Sequence, residues 1–369
     1  MRPHLVVAGV LAGAISVALP AFTSAQRFEP PGSDHLNLPS PKAGRVRPLV
    51  VIVAENLGAE TTDFTVPYGV LKDAGVADVR SLSTGAGPVQ LRRSLRILAD
   101  QTIGQFDALE PAGADIVIVP AQVTPKDPAL AAWIQAQAAK GATIVSVCEG
   151  ARVLANAGLL KGKRAATHWS AIKDLTKSYP DTTWVRDQRY VQDGQIISTT
   201  GVTASIPMSL ALVEAIGGEP VAQATARRFG VTGWSAAHRT SDFALQKRDV
   251  AAALGSMAAV WTHETLEAPV ADGVDEVALA LRMDAWGRSY RTTVVTTRAG
   301  RTAVRSRHGL TILPDAEPRN GGRLMPERPG SAAAQLDAAI VDMGRRYGPA
   351  AVRLAKIGLE YDPPGQREN

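Results

Sequence analysis

The stretch Ile144-Val145-Ser146-Val147-Cys148-Glu149-Gly150-Ala151 carries a nucleophile at a place where chemistry favours one. An apolar run suited to a buried strand leads into Cys148, and a helix-forming run leaves it. A sharp strand-to-helix turn strains the nucleophile's backbone and presses it on the start of the next helix. Gly150 answers the crowding there, where a side chain would clash. The dipole and free N–H groups of that helix lower a thiol pKa, so part of Cys148 is expected as thiolate at neutral pH. The chain has 1 cysteine, so no intramolecular disulfide forms, and Cys148 is either a buried inert residue or a thiol kept for its reactivity. The 6 histidines (4, 35, 168, 238, 263 and 308) show no HExxH or paired-ligand spacing, and no metal or organic cofactor is implied.

The elements that must position the thiol follow from hydropathy. Leu49-Val50-Val51-Ile52-Val53-Ala54 is a continuous apolar run, as in a strand buried on both faces of a parallel sheet. Residues 61–74 have helical spacing and stop at Gly75. Strands are expected again at 79–82, 115–119, 142–147 and 195–200, and helices at 127–140, 152–160 and 209–216. Alternation of this kind implies right-handed crossovers and an α/β fold, a flavodoxin-like doubly wound and mostly parallel sheet covered on both faces.

A length of 369 residues favours two domains. Residues 1–25 read as a cleavable secretory signal: Arg2 and His4 at the polar start, an apolar Leu5 to Leu19, and a small-residue Thr23-Ser24-Ala25 before Gln26. The protein is therefore expected to be exported, periplasmic or extracellular, with no membrane span after cleavage. Residues 26–46, rich in Pro and Gly, read as a flexible leader, residues 47–235 as the first domain, and 236–369 as a second region. Within that region Leu310-Thr311-Ile312-Leu313-Pro314-Asp315 echoes Leu95-Arg96-Ile97-Leu98-Ala99-Asp100, and Met283 to Gly287 echoes Leu71 to Gly75. The pattern fits a degenerate half-repeat, chemically silent because it lacks Cys, or chance similarity of two βαβ segments. Residues 332–347 and 349–360 are expected as terminal helices. A net charge of +5 with scattered basic residues gives no nucleic-acid footprint.

The run from Ser146 to Leu160, together with Arg164-Ala165-Ala166-Thr167-His168-Trp169, resembles the DJ-1/PfpI superfamily, of class I glutamine amidotransferase-like fold. It is nearest the branch of isonitrile hydratases and AraC-type sensor domains, and the likeness spans about residues 47–230. It implies that Gly58 to Pro67 is the first β–α junction, whose acid, here Asp63, reaches the cysteine and hydrogen-bonds a thiolate when protonated. It also implies His168 as base or proton shuttle. Residues 201–205, with Thr203, would line the same pocket. Pro120-Ala121-Gln122 stands where hydrolases of the family tend to have paired glycines, so the N–H groups of Ala121 and Glu149 are the candidate oxyanion donors. Glu149 replaces the Thr of the isonitrile hydratases, and an ionised carboxylate there raises the thiol pKa. Members of the family commonly pair near the active site, so the resemblance implies a homodimer, or a second half-copy supplying the partner surface within one chain.

Three functions follow from these residues. The first is a cysteine-dependent hydrolase or hydratase acting on a small electrophilic carbon. The second is a non-catalytic small-ligand or sensor module. The third is a redox or protective thiol passing through a sulfenic acid.

Overall fold

Residues buried in apolar runs make the first elements. Strand β1 (Leu49–Ala54) is buried along its whole length, and helix α1 (Thr61–Ala74) ends where Gly75 turns left-handed at φ 68°. In the computed structural model residues 35–92 and 95–361 are described. The expected secretory segment, and residues 26–34 of the expected leader, lie outside them.

After α1 come β2 (Asp78–Ser83), β3 (Val89–Leu91), β4 (Leu95–Leu98), β5 (Gln101–Thr102), α2 (Ile103–Leu109), β6 (Ile116–Val119), α3 (Pro128–Ala139), β7 (Thr143–Ser146) and α4 (Gly150–Asn156). Next are β8 (Arg164–Ala165), α5 (Trp169–Ser178), β9 (Thr183–Trp184), β10 (Tyr190–Asp193), β11 (Ile196–Thr199), α6 (Ser205–Gly217) and α7 (Glu219–Phe229). The later part holds α8 (Lys247–Ala258), β12 (Glu264–Pro269), α9 (Glu276–Gly287), β13 (Thr292–Thr297), β14 (Val304–Arg305), β15 (Thr311–Leu313), α10 (Ala332–Tyr347) and α11 (Pro349–Leu359).

The main sheet runs β10-β11-β7-β6-β1-β2-β5. All its neighbours are parallel except edge strand β10, which is antiparallel to β11. Alternate residues serve opposite cores, as the pleat requires. Val50, Ile52, Ile118 and Val145 pack with α1 and α6, while Val51, Val53, Val117 and Ile144 pack with Phe106, Leu130, Trp133 and Leu154 of α2 to α4. This is the doubly wound α/β fold expected from the sequence.

Three local readings change. Helix α4 starts two residues early, at Gly150, and stops at Asn156 instead of Leu160, because Gly158 turns left-handed at φ 73°. Helix α6 begins at Ser205, ahead of the expected 209. The described end of the leader, residues 35–46, is tied down rather than flexible. Leu36 is buried, the N–H of Lys42 donates to Asp115 Oδ1 at 2.8 Å, and Arg45 donates to Asp115 Oδ2 at 2.9 Å. The same Oδ2 accepts the N–H of Leu49 at 2.7 Å, so one buried carboxylate joins the leader to the start of the sheet.

The later region packs on the earlier one. Helix α9 lies against α1, α10 lies against α9, and β15 pairs antiparallel with β4 to extend a separate sheet, β14-β15-β4-β3. As a result every residue of α1 from Thr61 to Leu71 is buried. Among the described residues no helix is long and apolar enough to cross a membrane.

Removing the carboxylate in Asp115→Ala leaves the Leu49 donor unpaired. It is expected to cost about 1–3 kcal/mol and to open residues 42–47 to protease. Unchanged thermal unfolding and unchanged proteolysis would refute the clamp.

Candidate functional site

Cys148 sits between β7 and α4 with a left-handed backbone at φ 57°, the strained turn that the residue pattern demands. Two neighbours fix it. An added Cβ on Gly150 would fall 2.1 Å from the carbonyl oxygen of Val119, so only glycine allows the close approach to β6. Thr167 donates its hydroxyl to the Cys148 carbonyl at 3.2 Å. The side chain is buried, 6 % exposed, yet it lines a hollow of about 390 Å³.

Asp63 lies in the first turn of α1 and is fully buried. Its Oδ2 accepts the N–H of Ala121 at 3.2 Å, and Oδ1 has no partner among the described residues. Burial, then the charges of Glu60 and Asp284, push its carboxyl well above the ordinary range, which favours the protonated form. It stands close enough to the thiol to act on it electrostatically.

The thiol itself departs from the expected lowering. Burial first, then the carboxyl groups of Asp63, Glu149, Glu60 and Glu360, push Cys148 well above its usual value. A seven-residue helix with Glu149 at its N-cap does not offset four carboxyl groups and the loss of water. Resting Cys148 is therefore a neutral thiol.

His168 caps α5 and faces the same hollow. Its Nδ1 lies 2.6 Å from Ser170 Oγ and 3.3 Å from the Ser170 N–H, and Ser170 Oγ donates to Glu149 Oε1 at 3.1 Å. Burial lowers its pKa, so the imidazole is neutral, and Nε2 faces Glu360 Oε1 at 3.9 Å.

The remaining expected site residues divide. Glu149 lines the hollow and pairs with Arg152 at 3.4 Å. Ala121 also lines it, but its N–H is held by Asp63 and does not point free as an oxyanion donor. Gly150 shapes the turn and does not line the hollow. Thr203 is elsewhere: its hydroxyl donates to the carbonyl of Glu360 at 2.6 Å, and it lines a neighbouring hollow with Trp234 and Tyr361. No residue of the Gly201–Ser205 loop lines the hollow of Cys148.

Other residues of the site are not apparent from sequence. Arg288, just past α9, meets Asp284 at 3.0 Å and Glu60 at 3.4 Å, and its charge reaches Cys148. Glu360, after α11, accepts the N–H groups of Trp169 at 2.8 Å and Gly201 at 2.7 Å, with His238 Nε2 at 3.3 Å. Burial alone would raise that carboxyl, but His238, His168 and the backbone donor hold it down at about 2. The outer wall is apolar, from Leu245, Val250, Leu254, Leu354 and Ile357. Of these, Glu60 lies inside the Gly58 to Pro67 junction that the sequence singled out, whereas Arg288 and Glu360 carry no sequence signal. Among the described residues no group of His, Cys, Asp and Glu is arranged to hold a metal.

A doubly wound sheet with a cysteine elbow at the carboxyl end of a central strand defines a class of protein, the ligand crevice lying where such sheets place it. Residues 49–215 match the DJ-1/PfpI family. The chain is 35% identical over 165 residues to the isonitrile hydratase of Pseudomonas putida, covering 44% of this chain and 69% of that one. It is 34% identical over 152 residues to the HTH-type transcriptional regulator CdhR of Pseudomonas aeruginosa, covering 40% of this chain but only 43% of the regulator. The crystal structure of Drosophila melanogaster DJ-1beta aligns with 50% of this chain and 98% of its own at 22% identity and a TM-score of 0.45. The chain belongs to the DJ-1/PfpI family.

Two titrations follow. Alkylation of Cys148 by iodoacetamide is expected to stay slow at pH 7 and to accelerate only above the ordinary thiol pKa of about 8.5; rapid labelling at pH 6 to 7 would contradict the neutral thiol. Asp63 is protonated in the fold but ionises near 3.9 when unfolded, so its cost is absent below that pH and grows as pH rises toward the folded pKa. Asp63→Asn should thus gain stability over wild type from pH 4 to 7, and a constant difference would refute the assignment.

Proposed function

We propose that the protein is a cysteine-dependent hydrolase or hydratase acting on a small electrophilic carbon that carries an apolar substituent. The observation that supports this best is geometric: Cys148 and His168 line one hollow, and the buried Asp63 is bonded to the N–H of Ala121 in its wall. The Cys148 sulfur adds to the carbon as its proton leaves to His168, which lines the same hollow. Asp63 supplies a proton to the atom on which negative charge develops and regains one from His168. Water then displaces the sulfur, so the net change is addition of one water and return of the thiol. The charge of Arg288 favours sulfur as thiolate at the moment of attack, when the resting environment opposes it. The apolar outer wall favours a hydrocarbon arm on the substrate.

A second reading is favoured by the engaged N–H of Ala121, which leaves one oxyanion donor fewer than acyl transfer uses. In that reading the hollow recognises a small ligand without turning it over.

A screen of isonitriles, small amides and aldehydes separates the two. Turnover is expected in wild type, falling by about 10³-fold or more in Cys148→Ser and by about 10²-fold in His168→Asn. Binding of the same compounds to both wild type and Cys148→Ser with no product in either would instead establish the recognition reading.

A further inference from the structure

A repeat runs through the fold. A constant offset of 215 positions carries Leu49–Ala54 onto Glu264–Pro269 and the N-cap Glu60 onto the N-cap Asp275. It also carries Gly58 onto Gly273, both with positive φ, 131° and 84°. Asp100 Oδ2 accepts from the N–H and hydroxyl of Ser81 at 2.9 and 2.8 Å, and one offset later Asp315 Oδ2 accepts from the N–H and hydroxyl of Thr296 at 2.9 and 2.7 Å. The parallel contact of Leu82 with Gln101 recurs as Thr297 with Ala316. The register of β12 on β13 alone differs, by one residue, from that of β1 on β2.

The two copies face each other about a twofold relation. In the sheet, Ile97 lies opposite Ile312, its own counterpart. On either side Leu98 meets Thr311, counterpart of Arg96, and Arg96 meets Leu313, counterpart of Leu98. In the helices, an added Cβ on Gly69 would fall 2.3 Å from Val277 Cγ2. Reciprocally, Thr62, counterpart of Val277, donates to Asp284, counterpart of Gly69, at 3.3 Å. Each contact is the image of another, which is what an isologous interface is.

The chemistry is not repeated. Ala278 stands in place of Asp63, and the chain's 1 cysteine is in the first half. Where Arg288 reaches Glu60 beside the thiol, its counterpart Asp73 meets His308 at 3.6 Å, and His308 meets Glu276 at 2.8 Å. An ion cluster fills the place of a second pocket.

We infer that residues 264–315 are a second copy of the 49–100 unit, fused in cis, which acts as the chain's own pairing partner. An isologous contact is closed, so when both of its faces belong to one chain nothing of that surface is left for another molecule. The protein is a monomer with one reactive centre, and the second copy delivers Arg288 and Tyr290 to the rim of that centre from the end of α9. This holds whatever Cys148 does to its ligand.

Light scattering of the full chain from about 1 to about 100 µM tests it, because a self-associating chain changes mass with concentration. The mass of one chain, 38.8 kDa if unprocessed, is expected throughout, and a two-chain mass at any of these concentrations overturns the proposal. Gly69→Val probes the covered face: its melting temperature is expected to fall by several degrees with the mass still that of one chain. An unchanged melting temperature would show that α1 and α9 do not meet in solution. Should the valine chain fail to fold, the milder Gly69→Ala is read the same way, and the wild-type mass decides alone.

Discussion

Helix α1 has almost no surface facing water. From Thr61 to Leu71 each side chain is covered, by the sheet beneath and by α6, α7 and α9 around it. A soluble helix normally keeps a polar stripe for solvent, and this one keeps polar residues with nowhere to put them. Thr65 returns its hydroxyl to the Thr61 carbonyl at 2.8 Å, and Asp63 accepts from a single backbone donor. The carboxyl stays neutral because α9 seals the helix. Uncover α1, and the burial that holds the Asp63 carboxyl above its ordinary range is lost.

The electrostatics of the hollow follow from this sealing. Glu60, Glu149 and Glu360 approach the thiol from three different elements, and Arg288 is the buried cation set against them. Arg288 is anchored by two carboxylates, and although burial opposes its charge, Asp284 and Glu60 keep it fully protonated. The resting surroundings of Cys148 therefore oppose a standing thiolate.

Much of the fold was legible in the residues because strands buried on both faces write themselves as unbroken apolar runs. β1, β6 and β7 are such runs, and Gly75 ended α1 where a left-handed stop was needed. The elbow was equally plain, since a cysteine two residues before Gly150 leaves few other geometries. What escaped were α2, α5, α7, α8 and α9, and every contact made across the chain. Arg288 is an ordinary arginine in sequence and Glu360 an ordinary glutamate. Each takes its meaning from partners that lie far away along the chain. The thiol was misjudged for the same reason: a helix dipole can be read from the next few residues, whereas burial by remote elements cannot.

Glu360 is nearly the last described residue, yet it holds the N–H of Trp169, at the foot of the helix that begins beside His168. A polypeptide emerges from the ribosome in the opposite order. Sulfur and imidazole are made first, and the carboxylate that faces His168 follows 191 residues after Trp169. The nascent chain thus carries an incomplete centre until α11 has been made and has docked.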